Sequence, residues 1–271
     1  LRSAQGREAL MRYYQRYIAI ARQAGFGFIL ESPTWRSSPD WGDRLGYSQA
    51  ELKAANTAAI SLMIELRGRY GAPGFPLLVS GCVGPRGDGY VAGELMRPEV
   101  AQAYHDEQIA AMVAAGAELV TAITMTNANE AIGIVRSARR RNAPVVISFT
   151  VETDGRLPTG QRLSEAVEEV DSATDNGPAY YMINCAHPTH YAGALSPGEA
   201  WVERVLGMRA NASRCSHAEL DAATELDRGD PDDLGQRYRD LKVRFPHLRV
   251  FGGCCGTDHH HIAAIAASLR S

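Results

Sequence analysis

Val250-Phe251-Gly252-Gly253-Cys254-Cys255-Gly256 is the stretch on which the reading of this chain turns. It opens as a buried strand and breaks into two glycines, two adjacent cysteines and a third glycine. Neighbouring side chains of a regular strand point to opposite faces, so Cys254 and Cys255 could not meet at one point within one. Flanking glycines lift that restriction, because they admit backbone angles that a Cβ disfavours. Two thiolates at one strand end can then converge on a soft cation. A third sulfur ends another apolar run, Tyr180-Tyr181-Met182-Ile183-Asn184-Cys185. Three cysteine sulfurs with a vacant fourth position suit a zinc ion that does chemistry, since structural zinc usually has four protein ligands.

Outward from that stretch, apolar runs alternate with helical segments. The chain opens with a helix over 7–24, where Leu10, Tyr14, Tyr17, Ile18 and Ala21 recur at helical spacing before Gly25. Strands are expected at 26–30, 76–83, 118–125, 144–151, 180–185, 207–212 and 248–253. Between them, Ser48 with Glu51 caps a helix to about 69, and Pro98 starts one to 115. Asn127 with Glu130 caps the next, 164–174 is helical, and Ser196-Pro197-Gly198-Glu199 opens another. Helices over 230–245 and 258–269 complete the series. Strict strand–helix alternation is the pattern of parallel strands joined by helical crossovers.

Seven strands against eight helices leave the count one strand short of a (β/α)8 TIM barrel, and the missing strand belongs before the first helix. An open sheet would leave bare edges, so the expectation is an α/β TIM barrel whose first strand lies upstream of Leu1. A doubly wound open sheet is the alternative, weakened by the lack of a Gly-x-Gly-x-x-Gly turn after any strand. No repeat or linker interrupts residues 1–271, which read as a single domain. Barrel enzymes keep their chemistry at the C-terminal strand ends. Cys185 and the Cys254–Cys255 pair occupy such ends, on the sixth and eighth strands of the barrel count.

The 271 residues are 45% hydrophobic and 22% charged, ordinary for a soluble enzyme. A net charge of −3 gives no footprint for nucleic acid or an anionic membrane. No apolar run approaches the ~18 residues that span a bilayer, and the first residues do not read as a signal peptide. Five cysteines, an odd count, argue against a disulfide framework and for a reducing, cytoplasmic setting. Cys82 and Cys215 read as small buried hydrophobes. A vicinal disulfide is the other use of the adjacent pair, and without metal the pair is expected to oxidise.

Asn184-Cys185 and Gly252-Gly253-Cys254-Cys255-Gly256 resemble the zinc-binding pattern of the homocysteine S-methyltransferase family. Weaker similarity lies in Gly84-Pro85, Ser148-Phe149-Thr150 and Leu157-Pro158-Thr159-Gly160. The resemblance implies a zinc-dependent methyltransferase, with Zn2+ on Cys185, Cys254 and Cys255. The methyl donor would be S-methylmethionine, S-adenosylmethionine or betaine. The acceptor would be a thiol, with homocysteine giving methionine, as in methionine biosynthesis. Partners are then a small-molecule thiol and donor, with no nucleic acid and no membrane; the sequence leaves a homo-oligomer open. The family's first-strand Asp-Gly-Gly motif is absent. Its strand-four Glu, which holds the homocysteine ammonium, matches Ile123, and its Thr-Asn-Thr reads Ser32-Pro33-Thr34.

No catalytic residue beyond the metal site is needed, because methyl displacement by a thiolate moves no proton. Glu31, Asn184 and Trp35 are the candidate substrate-binding residues. Glu31, or the Asp of the missing first strand, stands in for the missing carboxylate, unless Glu31 pairs with Arg36 or Arg86. Trp35 and Tyr90 offer π-faces to a cationic donor, or pack as ordinary loop cover. His187 reads as a backbone-bonded strand-end histidine, with a ligand or orienting role as its alternative. His259-His260-His261 point in different directions on a helix start, so at most one could join the site. Three other functions stay open: methyl transfer to a different small thiol, a zinc hydrolase on the same barrel, and a zinc store or thiol sensor.

Overall fold

The computed structural model describes residues 1–270. Among these residues, seven parallel strands form one sheet, each paired with its sequence neighbour: β1 (Phe28–Glu31), β2 (Leu77–Val83), β3 (Leu119–Met125), β4 (Val145–Thr150), β5 (Tyr180–Asn184), β6 (Val205–Ala210) and β7 (Val250–Gly253). A doubly wound sheet reverses its strand order at a switch point. This order runs from β1 to β7 without reversal, as in a barrel.

The sheet must also curl. Five inter-strand steps of about 4.8 Å would set β1 and β6 about 24 Å apart in a flat sheet. Yet the guanidinium of Arg209 on β6 is ion-paired with the carboxylate of Glu31 on β1. The result is a half-barrel whose end strands, β1 and β7, do not pair with each other among the described residues.

Among the described residues, eleven helices surround the sheet. They are α1 (Ala4–Ala24), α2 (Pro39–Arg44), α3 (Gln49–Tyr70), α4 (Pro98–Ala114), α5 (Ala128–Arg139), α6 (Leu163–Thr174), α7 (Pro188–Tyr191), α8 (Ala200–Glu203), α9 (His217–Ala222), α10 (Pro231–Arg244) and α11 (His259–Arg270). Helix α1 packs against α11 beside the end strands, and its Tyr14 hydroxyl donates to the Glu31 carbonyl at 2.6 Å. The Ser48–Glu51 capping box forms as the sequence predicts, and Asn127 caps α5.

Strict alternation of seven strands with eight helices is corrected by the short helices α2, α7, α8 and α9: α2, α7 and α9 follow the C-terminal ends of β1, β5 and β6, and α8 leads directly into the start of β6. Ser196-Pro197 does not start a helix. Gly198 turns the chain at φ +85°, and α8 begins only at Ala200. Helix α9 carries its own signature, Ser216 with Glu219 as a capping box.

Two apolar clusters follow from the period-2 geometry of the strands. The larger lies between sheet and helices and includes Leu30, Val79, Phe149, Tyr181 and Ile183. The smaller fills the inside of the curl with Cys82, Leu119, Ile123, Val146 and Met182. Strands β3 and β4 are buried along their whole length, as in a parallel sheet covered on both faces, with Thr121, Thr124, Ser148 and Thr150 as their polar residues. No helix among the described residues is long and apolar enough to cross a membrane.

Candidate metal centre

Cys185 directly follows β5, and Cys254 and Cys255 directly follow β7. The strand between them fixes both ends. The backbone N–H of Cys185 donates to Arg209 at 3.1 Å and that of Cys254 to Ala210 at 2.8 Å, both carbonyls of β6. Asn211, the next residue, bridges the two segments with its side chain. Its Nδ2 donates to the Cys185 carbonyl at 3.0 Å, and its Oδ1 accepts from the N–H of Cys255 at 3.0 Å. The three sulfurs consequently lie within 4.8 Å of one another.

The backbone bends that make this convergence are local. Cys185 itself adopts a left-handed conformation, φ +52°, uncommon for a residue with a Cβ. Two donors hold its carbonyl there, Asn211 Nδ2 and His217 Nε2, the latter at 2.6 Å. Past the cysteine pair, Gly256 turns at φ +77°, where an added Cβ would also meet the Asp227 carbonyl at 2.7 Å.

Cys185 and Cys254 are joined as a disulfide, with Cα atoms 5.3 Å apart, and Cys255 is free. The expected oxidation of the adjacent pair is thus corrected to a bond between strand ends, whose Cα separation falls within disulfide reach. The donor set fits a thiophilic cation once reduced: three converging sulfurs with no carboxylate among them.

Around the sulfurs sits a buried polar network. Asn184 accepts from Ser148 Oγ at 2.6 Å and from the Thr124 N–H at 3.0 Å, and donates to Thr124 Oγ1 at 2.8 Å. Its Nδ2 lies 3.9 Å from the Cys254 sulfur, so Asn184 is placed beside the cluster. Thr124 is a β-branched residue at φ +67°, produced by a register shift in β3 between Ala122 and Met125. That shift turns its hydroxyl to 3.8 Å from the Cys185 sulfur. Sequence reasoning missed Thr124 and Asn211, since neither belongs to a spacing pattern.

Tyr90 closes one side. Asp88 Oδ1 accepts from the N–H groups of Tyr90 and Val91 and so shapes the glycine-rich loop. The Tyr90 hydroxyl stands 3.0 Å from the Cys255 sulfur, and its ring stacks on His217 with centroids 4.0 Å apart. Burial, with Cys255 alongside, pushes the phenol above its usual pKa. His217 links the cluster to Glu152, Nδ1 to Oε1 at 2.9 Å.

The other candidates are placed as follows. Glu31 is ion-paired with Arg209, not with Arg36 or Arg86. Trp35 donates from Nε1 to the Ile123 carbonyl at 3.0 Å, and the Arg36 guanidinium lies 4.1 Å from its ring centre. Ile123 is buried in the apolar cluster inside the curl. His187 caps α7 by accepting from the Thr189 N–H, and burial lowers its pKa to about 4. Of the histidine run, His259 and His260 approach Asp258, whose carboxylate caps α11 and pairs with Arg228. Cys82 is buried, which pushes its thiol up and leaves it inert. Cys215 is only half-buried and lines a cavity of about 480 Å³ with Asp227 and Asp230, a correction to its reading as a buried hydrophobe.

The family model described as homocysteine S-methyltransferase matches residues 3–269. No curated protein matches the sequence. Among solved structures, the oxidized form of the homocysteine methyltransferase MmuM from Escherichia coli superposes with a TM-score of 0.77. It is 21% identical, over 98% of this chain and 89% of that one. The metallated form of the same enzyme gives 0.75 at 22% identity, over 96% and 84%. At such identities the likeness carries the fold.

Proposed function

The chain belongs to the homocysteine S-methyltransferase family, and from that premise we propose that it moves a methyl group from a sulfonium or ammonium donor to a thiol. We take homocysteine as the acceptor, methionine as the product, and residues 1–271 as one catalytic domain. The observation that carries this reading is the convergence of Cys185, Cys254 and Cys255 at the ends of β5 and β7. Those three would hold Zn2+, which keeps an acceptor thiol deprotonated at neutral pH, where a free thiol near pKa ~8.5 is mostly protonated.

The chain's own residues supply position. Asn211 and His217 hold the Cys185 backbone, and the Asn184–Thr124–Ser148 network fixes the floor beneath the sulfurs. Tyr90 covers Cys255 from the loop side. During transfer a sulfur–carbon bond forms on the acceptor while the donor's carbon–sulfur or carbon–nitrogen bond breaks. The electron pair leaves on the donor heteroatom, and no proton moves. Alignment of the three atoms is the protein's main contribution. Trp35 and Tyr90 would be the aromatic groups that border the donor's positive charge.

A zinc hydrolase is disfavoured by the same donor set, because three anionic sulfurs leave bound water less acidic than three histidines do. The test is methionine formation from homocysteine with S-methylmethionine, S-adenosylmethionine or betaine, each supplied alone. Turnover with one donor supports the reading. No turnover with any donor in the reduced, zinc-loaded protein would remove it.

A further inference from the structure

An amino-acid thiol brings an ammonium group that needs a partner near the sulfurs. Position 123 cannot provide one, and Glu31 is engaged by Arg209. The inward face of β4 offers another answer. Alternate residues of a strand share a face. Val146 belongs to the apolar cluster inside the curl, Ser148 donates to Asn184, and Thr150 and Glu152 come next on that face.

Thr150 pairs in register with Asn184, the residue before Cys185, and is fully buried. Its Oγ1 has no hydrogen-bond partner among the described residues. Buried hydroxyls normally have one, so an unpaired one at this strand end points to a ligand atom. Glu152 lies just past the strand. Its Oε1 meets His217 Nδ1 at 2.9 Å, while the other ring nitrogen reaches the Cys185 carbonyl. A single imidazole thus separates the carboxylate from a cysteine of the cluster. The Glu152 side chain is about one-third exposed (34%). Asp88 and Asp221 add negative charge around Tyr90 on the same rim.

Resting on the thiol-acceptor reading above, we propose that the Thr150 hydroxyl and the Glu152 carboxylate form the subsite for the ammonium group of an amino-acid thiol. Both are acceptors, and an ammonium has only donors to offer. The role that a strand-four carboxylate would play thereby moves one strand along, to the end of β4.

The experiment is calorimetric titration of the reduced, zinc-loaded protein with homocysteine and with 4-mercaptobutyrate, which differs by the missing ammonium alone. Zinc content is measured on every sample. Glu152→Gln is expected to weaken homocysteine about tenfold and to leave 4-mercaptobutyrate within about twofold. Thr150→Val is expected to act in the same selective direction, by about threefold. Equal weakening of both thiols would mean that Glu152 only braces His217, and no change in either would remove the subsite; each overturns the proposal. Wild-type protein that binds neither thiol would instead bring down the underlying reading, and the subsite with it.

Discussion

Two sides of the mouth are built by different means. On the β5–β7 side, backbone and side-chain hydrogen bonds from a single strand and its following Asn211 hold both cysteine segments. On the β1–β3 side, the positions nearest the mouth carry an ion pair, Glu31–Arg209, an apolar side chain, Ile123, and a tryptophan bonded to a main-chain carbonyl. The first side has little freedom, because soft-metal ligation demands particular atoms at particular places. The second faces a substrate, whose charge can be met from more than one direction. Ligand geometry therefore tolerates less change than substrate recognition does.

The sharpest way to break this contrast is to remove a sulfur. Cys254→Ser and Cys185→Ser should each lower zinc affinity by about a thousandfold or more and abolish methyl transfer, as metal analysis and product assay would show. Zinc retained by Cys185→Ser at wild-type affinity would dissolve the three-sulfur site.

A smaller effect is expected from the strap. Asn211→Ala removes the bridge between the Cys185 carbonyl and the Cys255 N–H, and should weaken zinc binding by about 10–100-fold in competition with a chelator. An unchanged affinity would assign the convergence to the β6 backbone alone.

On the opposite side the expected cost is to stability. Glu31→Gln leaves Arg209 without its carboxylate inside the curl. Denaturant unfolding should show a loss of about 2 kcal/mol, between the values for exposed and fully buried pairs, with zinc affinity unchanged. A fall in zinc affinity as large as that of Asn211→Ala would mean that the two sides are coupled.

The smallest effect lies outside the mouth, at the start of α10. Bonding to Arg237, and then to Arg214, holds the Asp233 carboxyl at about 2. A depressed carboxylate contributes stability that is complete above its unfolded pKa, about 4, and is lost as pH falls through about 2. With partial exposure the contribution is about 1 kcal/mol. Asp233→Asn should flatten the stability profile between about pH 4 and 2 by that amount. An identical acid limb in the variant would show that the ion pairs carry no net stability.

The same contrast explains what could be read from the sequence. Strand–helix alternation gave parallel neighbours in sequence order, because crossover length and handedness leave few other topologies. The ligands were legible since Asn184-Cys185 and Gly252-Gly253-Cys254-Cys255-Gly256 couple residue chemistry to strand ends. Thr124 was not, because its inward turn comes from a register shift in β3 that no residue type announces. Asn211 fell inside the weak strand expected at 207–212, where it carried no functional signal; the strand in fact ends at Ala210. The partner of Glu31 lies 178 residues away, so local charge pattern pointed to Arg36 and Arg86 instead. The short helix α9 was within reach, since Ser216 and Glu219 form a visible capping box.

The most direct test of the central claim is X-ray absorption on the reduced, zinc-loaded protein before and after homocysteine is added. Three sulfurs at about 2.3 Å and one lighter atom are expected at first, and four sulfurs afterwards. A first shell containing histidine nitrogen in place of a cysteine sulfur, or one that homocysteine leaves unaltered, would contradict the account.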